Sequence, residues 1–186
     1  MLADFNVMVA NMIKKEKLRR VLILCCHCLR NLAYYKAGWN GKNFISQNPF
    51  WINANGNFLD ICVLEWCKLF ADEKGKHHWK KVLSDTDSFY DGMLQKLNAT
   101  EQEIDSLNGE MKTYRDKFIA HLDLEKTMYI PNNLSLAKRM VEYLYDYLLT
   151  NEDKGNYFDD AKSTASSFYQ EHFNIGKVEY RNIQKP

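Results

Sequence analysis

At 186 residues, with 46% hydrophobic and 26% charged residues, the chain has the composition of one folded domain and not of a disordered segment. Its formal net charge of +1 supplies no bulk argument for nucleic-acid binding. Only 3 Pro and 8 Gly punctuate it, which favours long helices over a many-stranded sandwich or barrel.

The first helix is expected from about Lys14 to Lys36. Leu18, Leu22, Cys25, Leu29 and Leu32 form one amphipathic stripe there, and Gly38 with Asn40-Gly41 stops it. Residues 40–57 read as an Asn-rich connection holding Pro49 and Asn55-Gly56. A second helix follows from about Phe58 to Ala71. Up to Lys68 its only polar residues are Asp60, Glu65 and Lys68, an arc of about 140°. Such a helix is central, touching several neighbours or another subunit. Asp72 to Lys76 is a charged turn and His77 to Leu83 a short helical turn. Asp85 and Asp87 cap a helix running to about Leu97. Thr100 and Glu103 form a capping box, which opens a helix with the stripe Ile104, Leu107, Met111, Tyr114 and Phe118. Past Pro131, Asn132 or Asn133 caps a helix to about Leu149, with Ala137, Val141, Leu144 and Leu148 inward. Asp153 to Asn156 is a turn, Tyr157 to Phe173 a last helix, and residues 174–186 a tail. No segment alternates with period two. The fold class is therefore all-α, a bundle of four to five main helices with short additional ones. Residues 1–150 are expected to form the bundle, and 151–186 a helix and tail packed on it or extending it.

Charge is uneven along the chain. Residues 1–50 carry 8 Lys/Arg against 2 Asp/Glu, and residues 101–150 carry 6 against 9. A basic first helix suits either phosphate contact or a solvated face. No apolar run approaches the ~18 residues a membrane helix needs. The first Lys/Arg cluster follows the first apolar residues instead of preceding them, unlike a signal peptide. With five Cys read as reduced thiols, a cytoplasmic protein without a membrane partner is expected.

Several other constellations carry residue types capable of chemistry. Cys25-Cys26-His27-Cys28 contains a Cys-x-x-Cys, but it lies inside a helical stripe without further ligands at suitable spacing, so packing thiols are expected. His77-His78-Trp79-Lys80-Lys81 suits either a nucleic-acid contact or, by preference, a solvated helix start. Asp85, Asp87 and Asp91 read as capping more readily than as a cation site. There is no Gly-rich phosphate loop, Gly-x-Ser-x-Gly elbow or His-Glu-x-x-His pair. No cofactor and no metal is expected.

One helix departs from this pattern. A further step of three along the capping-box stripe places His121 after Phe118, and Arg115 lies on the stripe's edge beside Tyr114. In a straight helix the two side chains would stand ~120° apart, able to flank a cleft or to meet symmetry mates. A hydrogen-bonded core histidine and an arginine that snorkels or pairs with Asp116 or Asp123 would leave the same trace.

The run Tyr114-Arg-Asp-Lys-Phe-Ile-Ala-His121-Leu-Asp123 resembles the signature of the HEPN superfamily, an α-helical group. That signature is an Arg commonly followed by a polar residue, then a His after four to six intervening residues; here Asp116 follows Arg115 and five residues separate Arg115 from His121. The run Leu59 to Phe70, followed by His78-Trp-Lys-Lys81, is similar to the AbiU-type, abortive-infection branch of that superfamily. The resemblance implies a metal-independent endoribonuclease that works as a homodimer on RNA. It also implies a toxin or phage-defence role, with a cognate antitoxin or nucleotidyltransferase-like partner. Arg115, His121 and Asp116 would be the catalytic set, with Lys117 and Asp123 as substrate contacts. The residue types suit the reaction. Histidine titrates near neutrality and exchanges protons, and arginine stays charged and grips a phosphoryl oxygen. Asp116 or Asp123 would orient the imidazole. Some HEPN proteins have lost activity and only bind or dimerise, which is the alternative expectation.

Overall fold

The computed structural model describes residues 2–120, 130–153, 157–162 and 164–183, with side chains from residue 12 onward and Ala120 excepted. Within them the chain is all-α. It has six α-helices: α1 (Leu2–Ala37), α2 (Pro49–Trp66), α3 (Thr86–Leu97), α4 (Glu101–Tyr114), α5 (Leu134–Tyr147) and α6 (Ala165–Asn182). Strands β1 (Trp39–Asn40) and β2 (Asn43–Phe44) make one antiparallel pair, with Trp39 opposite Phe44. Among the described residues no helix is long and apolar enough to cross a membrane.

The helix α1 is the spine, roughly 54 Å long at 1.5 Å per residue. It begins well before the expected Lys14, because no Gly or Pro interrupts residues 2–37. The stripe Leu18, Leu22, Cys25, Leu29 and Leu32 is buried as expected. Val21, Cys28 and Ala33 are buried too, because α1 packs against α2, α5 and α6 at once. Gly38 ends it at a tight crossing: a Cβ there would meet the Asn55 side chain and the Phe44 ring, both at 2.7 Å.

The expected connection over 40–57 is shorter, because α2 already starts at Pro49. Asn48 caps it by accepting the Phe50 N–H at 2.9 Å, and proline suits the first helical position because its missing N–H has no helical partner to lose. Asn55-Gly56 therefore lies inside a helix and not at a turn. Asn55 is buried yet satisfied: its amide donates to Tyr35 O and Tyr180 Oη, and its carbonyl accepts from Trp39 Nε1. The helix continues to Ala71 as a π turn, Cys67–Ala71, so the expected end holds.

Asp85 caps α3, accepting from Ser88 N at 3.0 Å. The capping box of α4 is complete: Thr100 Oγ1 accepts from Glu103 N, and Glu103 Oε2 accepts from Thr100 N. Asn133 caps α5, whose residues Ala137, Val141 and Leu144 are buried, as is Leu148 at the start of the π turn that follows it. The last helix is displaced from its expected span. Tyr157 to Asp160 is a turn, Thr164 caps α6, and the helix runs on to Asn182 through most of the expected tail. Gly176 is the point where α6 crosses α1; a Cβ on it would lie 2.7 Å from Ala37 Cβ. Tyr180 is buried beside Asn55 and ties this helix to α2.

Candidate functional site

The stripe of α4 points where the spacing places it. Ile104, Leu107, Met111 and Tyr114 are buried, and Phe118 packs half-buried on the core. Tyr114 reaches through the core to α2, where its hydroxyl donates to Asp60 Oδ1 at 2.9 Å. Burial, and then the hydrogen bond to Asp60 and its charge, push the phenol far above its ordinary range. Burial also raises the Asp60 carboxyl, opposed by the bond from Tyr114.

Directly after Tyr114 the helix changes pitch, and Arg115–Ala120 wind as a π-helix. The straight helix assumed in reading the spacing gives way over Arg115–Ala120 to a wider turn closed by i→i+5 bonds. The π turn Cys67–Ala71 lies alongside, packed on α4, and Asp72 closes it by donating its N–H to Cys67 O. Two widened turns thus meet at one place, and Arg115 joins them.

The Arg115 guanidinium is held from two sides. Its Nη1 donates to Asp72 Oδ1 at 2.6 Å and its Nε to Asp116 Oδ1 at 2.8 Å. The side chain is 21% exposed, and those of Asp72 and Asp116 are 38% and 55% exposed. The hydrogen bond that Arg115 donates to Asp116 raises its pKa most; burial opposes it, and Asp72 adds to the rise. Beneath lies Cys67, buried, its thiol pushed up to about 12 by desolvation against the pull of Arg115. It is a packing thiol and not a nucleophile.

The structure therefore brings Arg115 and Asp116 together as an ion pair. Lys117 sits half-buried on the same turn. His121 and Asp123 lie outside the described residues. Asp72 was missed as a site residue. It is 43 positions from Arg115, and inside a charged turn nothing local marks it. Asp60 did carry a signal, as one of the few polar residues of α2.

The other constellations resolve as packing and capping. Cys25 and Cys28 are buried, and Cys28 Sγ lies 3.6 Å from Cys62 Sγ. Burial raises the Cys25 thiol, and the hydrogen bond with Cys62 and burial raise that of Cys28. Asp85 caps α3, and among the described residues no group of three or more His, Cys, Asp or Glu is arranged to hold a metal. The expected solvated start at His77–Lys81 is corrected in part. His78 and Trp79 are buried while Lys80 and Lys81 are exposed. His78 Nε2 donates to Phe70 O and its Nδ1 accepts from Lys80 N, so the ring is a neutral structural cap. Burial lowers its pKa further.

Comparison of the chain with family models, with curated proteins and with solved structures gives no match in any of the three.

Proposed function

We propose that the protein is a metal-independent endoribonuclease of HEPN type, acting as a homodimer in the cytoplasm as an AbiU-like toxin or phage-defence effector. The observation that supports this reading most is the setting of Arg115. A guanidinium at the end of the capping-box helix is kept at the surface and fixed in orientation by two carboxylates, instead of being sunk in the core or left to wander. Fixed orientation is what gripping a phosphoryl oxygen requires. In the reaction, the ribose 2′-oxygen loses its proton and attacks the adjacent phosphorus. The bond from phosphorus to the 5′-oxygen breaks, a 2′,3′-cyclic phosphate forms, and the departing 5′-oxygen is protonated. His121 carries the proton and Arg115 the developing charge. DNA, lacking the 2′-hydroxyl, is not a substrate.

The same two carboxylates favour a second reading, an inactive HEPN-type module that dimerises and binds RNA, a nucleotide or a protein such as a cognate antitoxin. A guanidinium already neutralised by Asp72 and Asp116 has less charge to offer a phosphate. Incubation with single-stranded RNA in EDTA separates the two. The active reading expects cleavage that Arg115→Ala and His121→Ala each abolish with the helical fold intact. RNA retained but uncut supports the module, and cleavage that survives both substitutions ends the first reading.

A further inference from the structure

A cavity of about 420 Å³ opens between the single-turn helix Trp79–Lys81, α3 and α4. That is the size of clefts that hold small molecules. Met93, Ile104 and Met140 make an apolar, buried base. Trp79 and Tyr90 form one wall, their rings parallel within 2° and 5.8 Å apart.

The charged groups around this base sum to a negative rim, Glu73, Asp87 and Asp105 against Lys80. His78 lines the cavity but has both ring nitrogens committed to backbone partners. Lys80 is committed to Glu73 at 3.0 Å, with its ammonium 5.5 Å from the Trp79 ring centre. Two carboxylates and one carbonyl remain, beside the hydroxyls of Thr86 and Tyr90 on the same lining. Asp87 and Asp105 have no ion-pair partner among the described residues. The carbonyl oxygen of Asn108 is the one buried side-chain polar atom among those residues without a hydrogen-bond partner. Asp87 sits in the first turn of α3, where helix N–H groups ease its charge; Asp105 and Asn108, one turn apart on α4, have no such help. A buried carbonyl left unpaired is costly, and it and the two carboxylates all accept.

A phosphate or carboxylate ligand is repelled by this rim. A cation bearing N–H groups answers every feature at once, with aromatic walls adding attraction for its charge. We propose that the cavity binds a small organic cation with N–H donors, an ammonium or guanidinium on a short apolar body. Its charge is met by Asp105 and Asp87, an N–H by the Asn108 carbonyl, and its body by Met93 and Ile104. The site is independent of the ribonuclease reading: Asn108 precedes Arg115 by two helical turns, roughly 10 Å along α4, and the acidic rim excludes RNA phosphate.

The test is calorimetric titration of the full chain with agmatine, putrescine and tetramethylammonium at constant ionic strength. Agmatine or putrescine should saturate a single site. Tetramethylammonium, a cation without N–H donors, should bind at least roughly tenfold more weakly. Asp105→Asn and Asn108→Leu should each weaken the amine roughly tenfold, the loss of one charge-assisted hydrogen bond, while Asp159→Asn leaves it unchanged. Should Asp105→Asn fail to fold, Asp87→Asn reads the same charge. No saturable binding of either amine overturns the proposal. So does binding that tetramethylammonium equals, or that the rim substitutions do not move.

Discussion

Arg115 shows how much a single side chain depends on its neighbours. Its two bonds to carboxylates hold it in one pose, but they also compete with any phosphate for the same donors. Asp72→Asn tests that competition. The pair is partly exposed, so the fold should lose under about 1 kcal/mol, while RNA cleavage or RNA affinity should rise as the guanidinium is released. Initial cleavage rates and a denaturation midpoint measure both. Asn55 is the opposite case, a buried amide with every bond made. Replacing it by Leu strands Trp39 Nε1 and Tyr180 Oη and leaves Tyr35 O with only the Gly38 N–H. We expect a loss of about 2–4 kcal/mol from these orphaned groups, whereas Tyr180→Phe should cost only about 1 kcal/mol. Urea denaturation distinguishes the two. Asn55 also shows the limit of local reading: next to Gly56 it has the look of a turn, and only burial against α1 and α6 makes it a helical hydrogen-bond hub.

At the level of elements, the seam between α1 and α6 carries a titratable group. His172 on α6 accepts from Arg30 Nε at 3.4 Å and bonds the Tyr34 hydroxyl at 3.0 Å through Nδ1. Burial lowers its pKa most, and the Arg30 charge adds to this. The unfolded chain therefore takes up a proton that the folded chain resists. This contribution to stability is complete above about pH 6.5, the unfolded value, and is lost as pH falls through the lowered folded value. His77 and His78 are lowered as well and act in the same direction. Denaturation midpoints should fall between pH 7.5 and pH 5, and His172→Gln should flatten that slope. Gly176→Leu on the same seam should weaken docking, since even a Cβ meets Ala37 at 2.7 Å. Elements with capping boxes, such as α4, were legible because a cap and a periodic stripe are local. The true span of α6 was not, because Thr164 is an ordinary threonine until its side chain accepts the Ser167 N–H, and Gly176 resembles a stop until α1 is laid across it.

For the whole molecule, one hydrophobic core draws on every helix, from Leu18 of α1 to Phe168 of α6. The bundle should unfold in a single transition, and a chain ending at residue 163 should lose it. Removing α6 uncovers the face of α1 that holds Ala37 and strands Asn55, so circular dichroism of the truncated chain should show a broad, non-cooperative melt or aggregation. The sequence by itself determined the helical class, the buried stripes and the caps of α3, α4 and α5, because hydrophobic periodicity and capping act within a few residues of chain. It also marked Arg115, as the cation on the edge of an inward stripe. Only tertiary structure decided what that cation meets. Asp72, the π turns that bring it alongside and the Trp79–Tyr90 cavity come from segments tens of residues apart, and their meeting is set by the packing of α2, α3 and α4, which no local pattern encodes.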